Sequence, residues 1–267
     1  LRTALVTTSW PRFEGDPSGH FVAAEARRLT QRGEAVVVIA ADGEAFGWPG
    51  VAARVKEDPR RAVGAAAWVA KARREVARGG FDRVVAHWAV PCAWPIATLS
   101  ARGPARDYAL DVVSHGGDVR ALVRLPRPAR AYVVRAIATR ATTWRFVAAH
   151  LVEAMTARVP SDVARAVERV ARVEPCVIDV DAPTRDAIDA KRAQMGAPFA
   201  VCVARLVASK RVDAAIAWAA RERATLVVVG DGPERATLEA CARDARERGA
   251  RVTFVGRVAR GEALAWI

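Results

Sequence analysis

Residues 199–233 read FAVCVARLVASKRVDAAIAWAARERATLVVVGDGP, and the change of texture along them decides the fold. Phe199–Ala204 is a short apolar run. A turn follows, then the Ala-rich helical stretch Asp213–Arg221, then a second apolar run at Thr225–Val229. Gly230-Asp231-Gly232-Pro233 punctuates that run, with Pro233 suited to the first turn of a helix spanning Pro233–Arg248. Apolar runs of this length belong to strands covered on both faces. Strand, helix and strand in succession imply a parallel sheet with crossover helices.

The same alternation extends in both directions. Strands are expected at Thr3–Thr7, Ala35–Ala40, Arg83–His87, Ala109–Ser114, Val173–Ile178 and Arg251–Val255, and helices at His20–Gln31, Arg60–Ala77 and Ser161–Ala171. The fold class is α/β. Asp179-Val180-Asp181-Ala182-Pro183 ends one apolar run and Gly196-Ala197-Pro198 precedes the next. The reading is therefore a first domain at 1–180, a linker at 181–198 and a smaller second domain at 199–267, with half the strands of a doubly wound sheet.

The chain has 267 residues, 52% hydrophobic and 27% charged, a globular composition with no apolar run long enough to span a bilayer. No signal peptide is read at the start, so a cytoplasmic protein is expected. Cys92, Cys176, Cys202 and Cys241 form no CxxC pair, which supports neither zinc nor a disulfide framework and reads as buried thiols. Arginine with abundant Ala and Val suggests a GC-rich bacterial coding sequence. The net charge of +13 favours anionic partners. No Asp or Glu occurs from Val119 to Val152, a stretch that holds Arg120, Arg124, Arg127, Arg130, Arg135, Arg140 and Arg145. Two readings fit it. It is a solvated helical face, or it is a patch that meets an anionic membrane with Leu122, Leu125, Tyr132 and Trp144 at the interface. Nucleic acid is not expected, because the cations do not interleave with stacking aromatics.

Ligands of open parallel sheets bind at the carboxyl ends of strands, so the loops that follow strands carry the chemistry. The first loop holds Gly15 and Gly19, which let backbone approach a ligand, but it lacks the G-x-G-x-x-G dinucleotide fingerprint. The second is Ser114-His115-Gly116-Gly117-Asp118, where an imidazole able to donate to or orient a hydroxyl sits beside two glycines and a carboxylate. The third carries Arg205 and Lys210 before a helix, a place for a diphosphate. Gly230, Asp231 and Gly232 form the fourth and are read as running close under a ligand.

Taken together, V-A-R-L-V-A-S-K-R-V-D from Val203, V-G-D-G-P-E-R-A-T-L-E from Val229 and V-T-F-V-G-R-V from Val252 resemble the retaining glycosyltransferases of family GT4. The N-terminal W-P-R-F-E-G-D-P-S-G-H-F-V, the H-W-A-V-P of His87–Pro91 and the H-G-G-D of His115–Asp118 are similar to that family's acceptor domain. The resemblance covers nearly the whole chain. It implies the GT-B fold, two Rossmann-like domains facing across a cleft, with the second incomplete here. It implies Arg205 and Lys210 on the donor diphosphate, His115 at the donor sugar, Gly230–Gly232 lining the donor pocket, and Gly256, Arg257 and Val258 at the nucleobase. It implies transfer from a nucleotide-diphosphate sugar with retention of configuration, to a carbohydrate, lipid-linked or small-molecule acceptor, with no cofactor and no metal. Arg211 and Val177 stand where the family has Gly, and the family's Glu-x7-Glu pair is expected beyond Ile267, which predicts weak turnover by residues 1–267. Glu239 and Glu247 have that spacing, but eight residues turn a helix by about 80°, so they are read as a decoy. A peripheral position at the inner membrane face also fits the basic patch. The alternatives are a non-catalytic nucleotide- or anionic-lipid-binding module and a sugar-nucleotide epimerase.

Overall fold

Nine strands are assigned among the residues described by the computed structural model, which are 1–13, 16, 18–47, 50–99, 108–176, 182–196 and 198–267. The chain divides into two units, Leu1–Asp179 and Val180–Ile267. In the first lie β1 (Arg2–Thr7), β2 (Ala35–Ala40), β3 (Arg83–His87), β4 (Ala109–Ser114), β5 (Thr143–Phe146) and β6 (Ala171–Val173). In the second lie β7 (Ala200–Val203), β8 (Thr225–Val229) and β9 (Arg251–Gly256).

The first sheet is parallel throughout, in the order β2-β1-β3-β4-β5-β6. The chain steps outward from β1 to β2 and then returns to the other side of β1 as β3. The carboxyl ends of β1 and β3 therefore flank a switch point, where the loops part and leave room for a ligand. Alternate residues of β1 feed different cores. Ala4 and Val6 join the large cluster with Trp68, Ile96 and Trp144, and Leu5 joins a smaller one with Val22, Phe21 and Trp88. β5 escapes the sequence pattern because only four residues pair, two of them Thr143 and Arg145. The run expected at Val173–Ile178 pairs earlier, at Ala171–Val173, and Val177 and Ile178 lie outside the described residues.

The second sheet is parallel in the order β7-β8-β9. Leu226 and Val228 point to one core, with Ile216 and Leu238, and Val227 and Val229 to another, with Met195 and Trp266. Burial on both faces is why β8 is apolar at every position but Thr225. Most of the segment read as a linker is helix Arg185–Met195, which packs on this unit. Met195 joins the second core, and Lys191 pairs with Glu262 at 2.7 Å while lying over the Trp266 ring.

Leu122 and Trp144 have no exposed surface, so they cannot meet a membrane, which corrects that expectation for these two residues, while Tyr132 is exposed. Among the described residues no helix is long and apolar enough to cross one. Several of the arginines are structural. Arg130, 8% exposed, donates from Nε to the Arg158 carbonyl at 2.7 Å and from one terminal nitrogen to the carbonyls of Val123 and Leu125 at 2.9 and 3.0 Å. It thereby satisfies acceptors left open at the end of helix Gly117–Arg124. Arg130→Met should destabilise the first unit by roughly 2–3 kcal/mol, whereas exposed Arg124→Ala should stay within about 0.5 kcal/mol of the parent in urea unfolding.

Candidate active site

Strand register brings together what the sequence keeps apart. His87 ends β3 and pairs with Val113 of β4, two residues before His115, so two imidazoles leave adjacent strands side by side. Their rings lie edge to edge and nearly coplanar, with centroids 5.2 Å apart and an interplanar angle of 10°, and His87 Nδ1 lies 3.0 Å from His115 Nε2. Behind His87, Glu25 of helix His20–Gln31 places one oxygen 3.4 Å from Nε2, an approach that no hydrogen bond closes. Its other oxygen accepts from Arg145 of β5 at 2.5 Å. On the far side, the Cys176 sulfur lies 3.3 Å from His115 Nδ1. Phe21 and Trp88 close over His115 at centroid distances of 4.7 and 4.9 Å.

Trp88 adopts φ 74, a conformation that a bulky residue takes only when its surroundings impose it, at a cost of about 1–3 kcal/mol. Its amide donates to the Val113 carbonyl at 2.7 Å, which ties the turn after β3 to β4 and sets the indole against His115.

The imidazoles are neutral. Burial, then the Arg145 cation, pulls the His87 pKa down to about 3. Burial, then His87, pulls His115 down to about 3 as well, against the opposing pull of Glu25. Burial, then Glu25, raises the Cys176 thiol, so it stays protonated. Burial keeps the Asp118 carboxyl raised, although Ala89, Ser114, Val119 and His115 all hydrogen-bond to it.

Asp118 is 3% exposed. One oxygen accepts from the Ala89 amide at 2.8 Å and the other from the amides of His115 and Gly116, both at 3.1 Å. Both oxygens are therefore spent on backbone amides and the Ser114 side chain, and Asp118 holds the turn that carries His115. Gly116, at φ 93, completes that turn, and Gly117, with open space around its missing side chain, starts helix Gly117–Arg124. Gly19 lies tight against the loop's own backbone, since a Cβ would come within 2.1 Å of the Ser9 carbonyl oxygen. Gly15 lies outside the described residues.

In the second unit the loops after all three strands are laced together. The amide of Ala204 donates to the Val229 carbonyl, Leu206 to Asp231, Glu234 to Leu206 and Gly230 to Gly256, at 2.8–3.1 Å. The close approach that Gly230 and Gly232 permit is to this lacing. A Cβ on Gly230 would meet the Ala204 oxygen at 1.9 Å, and one on Gly232 the Leu206 oxygen at 2.3 Å. That revises the expectation of glycines running close under a ligand. Asp231 is spent locally, accepting from the Gly232 amide at 2.8 Å. Gly256 ends β9 at φ 86, Val258 packs against the core of Val227 and Val229, and Arg257 is exposed.

Arg205 follows β7 and is exposed, as is Lys210 at the end of the short 3-10 turn Ala208–Lys210. Both stand on the laced edge of the sheet. Arg211 takes φ 49, the left-handed conformation that glycine adopts most easily, and its side chain chelates the Asp213 carboxylate at 3.1 and 3.2 Å. Arginine can thus fill the position where the family has glycine, and helix Val212–Glu222 follows it directly.

No protein-family model and no curated protein matches the sequence. Solved structures do match in shape. The lipopolysaccharide outer core galactosyltransferase WaaB in its apo form aligns over 97% of this chain and 69% of that one, at 14% identity and a TM-score of 0.57. HepE of Anabaena, in complex with UDP and glucose, aligns over 99% and 71%, at 17% identity and a TM-score of 0.59. The catalytic domain of starch synthase IV from Arabidopsis thaliana, bound to ADP and acarbose, aligns over 99% and 76%, at 13% identity and a TM-score of 0.64. The fold is GT-B. In a GT-B chain both groups described above occupy the carboxyl ends of their own parallel sheets, where this fold leaves space for ligands.

Glu25, His87, Arg145 and Cys176 complete the first group without having been singled out for it in the sequence. The signals were that His87 ends one apolar strand and His115 follows another, and that each opens a motif resembling the acceptor domain of the glycosyltransferases named above. Which strands become neighbours is not written locally.

Two outcomes follow. An imidazole with a pKa near 3 in the fold and about 6.5 in the unfolded chain takes up a proton on unfolding. The first unit is therefore at full stability above about pH 6.5 and loses it as pH falls towards 3, by on the order of 2 kcal/mol per histidine at pH 5. The second unit, without histidine, should keep its hydrogen-exchange protection over the same range. Separately, Gly230→Ala and Gly232→Ala should each cost the second unit about 1–3 kcal/mol. Gly117→Ala should be neutral or stabilising by up to roughly 0.5 kcal/mol, so any loss of ligand binding in that variant would report contact rather than misfolding.

Proposed function

We propose that the protein is a retaining glycosyltransferase that moves a sugar from a nucleoside-diphosphate sugar to an acceptor hydroxyl. One observation carries this reading. Arg205 and Lys210 stand exposed on a loop edge that the β8 and β9 loops brace, in a fold shared with glycosyltransferases solved with nucleoside diphosphates. A guanidinium and an ammonium on a stiff edge suit a pyrophosphate, whose charge grows as it leaves.

In the reaction the anomeric carbon–oxygen bond breaks and its electron pair departs with the diphosphate. The acceptor oxygen bonds to the anomeric carbon on the face that the leaving group vacates, and the acceptor hydroxyl passes its proton to an oxygen of the departing diphosphate. Arg205 and Lys210 neutralise the departing charge, which lowers the barrier more than it tightens ground-state binding. The backbone of Gly256 and Arg257 meets the nucleobase. His115 contacts a hydroxyl of the sugar and, being neutral, orients it without adding charge. No residue here is assigned a metal, and the acceptor's chemistry is left to the loops after β1 and β3.

The test is release of nucleoside diphosphate from a panel of UDP-, GDP- and ADP-sugars, with and without acceptor. Arg205→Ala and Lys210→Ala should each lower kcat by about 10²–10³-fold with a smaller change in KM. Full activity in both variants would sink the mechanism, and inversion of the product's anomeric configuration would sink the assignment of retention.

A further inference from the structure

The row Arg145–Glu25–His87–His115–Cys176 has a direction, and one group sets it. The Glu25 carboxylate is paired with Arg145 and can only accept, so the nitrogen of His87 that faces it at 3.4 Å carries that ring's proton. His87 is neutral and holds a single proton, which leaves Nδ1 as an acceptor. His115 Nε2, 3.0 Å away, must then be the donor. Its own Nδ1 is left with a lone pair, and the Cys176 thiol donates to that at 3.3 Å. Reversing any one link would put two protons, or two lone pairs, face to face inside the row closed by Phe21 and Trp88.

We propose that His87, backed by Glu25 and Arg145, is a positioning residue that locks His115 in the Nε2–H tautomer, so that His115 meets its ligand as a hydrogen-bond acceptor. The ligand class follows: His115 takes a hydroxyl that donates to Nδ1, the place the Cys176 thiol now fills. A bare carbonyl or phosphate oxygen offers no proton there and is not accepted. The identification of that hydroxyl as a sugar's rests on the glycosyltransferase reading, but the tautomer does not. A thiol is a weak donor, so a sugar hydroxyl displaces it at little cost.

The decisive variant is Glu25→Gln, which keeps shape and volume. Arg145 claims the amide oxygen, so the amide NH₂ turns to His87 and donates. His87 must then accept at Nε2 and carry its proton on Nδ1, which drives the proton of His115 from Nε2 to Nδ1. Nitrogen NMR of the full chain labelled at histidine reads this directly, because only four imidazoles are present. The wild type should show His115 with Nε2 protonated, Nδ1 bare and a through-hydrogen-bond coupling to His87 Nδ1. Glu25→Gln should exchange the two ring signals of His115. His87→Phe, which removes the acceptor, should average them, and His87→Gln, whose amide oxygen can accept, should restore the wild-type pattern. A protonated Nδ1 in the wild type overturns the proposal, as does an unchanged His115 pattern in both Glu25→Gln and His87→Phe. No sugar nucleotide enters this experiment. Correct tautomers in a protein that turns over no sugar nucleotide would therefore remove the proposed reaction and leave the lock standing.

Discussion

A carboxylate has lone pairs and no proton to give, and at Glu25 this one-sidedness reaches three residues further. Arg145 holds one oxygen of the carboxylate, and the remaining oxygen can only receive. Each neutral imidazole beyond it has one proton and one lone pair, and the choice made at the first ring is copied to the next. In water such a chain would be free to reverse, since solvent would meet either end. Here His87 is 1% exposed, so no solvent stands by to repair a mismatch at either of its nitrogens. The strained backbone at Trp88 belongs to the same device, because it is what carries the indole over the ring.

The second unit solves a different problem with different means. In the proposed diphosphate site the cations need a stiff base, for a flexible arginine or lysine loses much of its binding energy to ordering. Hydrogen bonds from the β7 loop to the β8 loop, and from the β8 loop to β9, supply that base. They demand glycine at 230 and 232, where any side chain would enter a carbonyl oxygen. The glycines act by bringing backbone to backbone.

How much of this is legible along the chain depends on how local its cause is. Strands buried on both faces announce themselves by apolar runs, which is why β3, β4 and β8 have the expected bounds, whereas β5, held by only four residues with two of them polar, does not. Gly230 and Gly232 are legible as a tight turn, but what they approach is not, because Ala204 and Leu206 reach them only through the parallel pairing of β7 and β8. The histidine pair is non-local in the same way. His87 and His115 are 28 residues apart, and only the neighbourhood of β3 and β4 in the sheet makes them partners. Glu25 sits within a helix pattern that looks like any solvated acid, and Arg145 is hidden in a run of arginines.

That run also shows why net charge is a poor guide to partners. Arg130 spends its guanidinium on three carbonyls, Arg140 donates to the Tyr108 carbonyl while lying over its ring, and Arg135 pairs with Asp162. At the start of β3, Arg83 grips Asp111 with two nitrogens. In each case the planar fork suits a fixed set of acceptors that a lysine would meet less well. An arginine whose acceptors are backbone carbonyls adds a full positive charge to the sum and offers none of its donors to an anion. The basic balance is thus partly a by-product of using guanidinium groups as internal fasteners, and a sum of charges does not tell these from the cations that face outward.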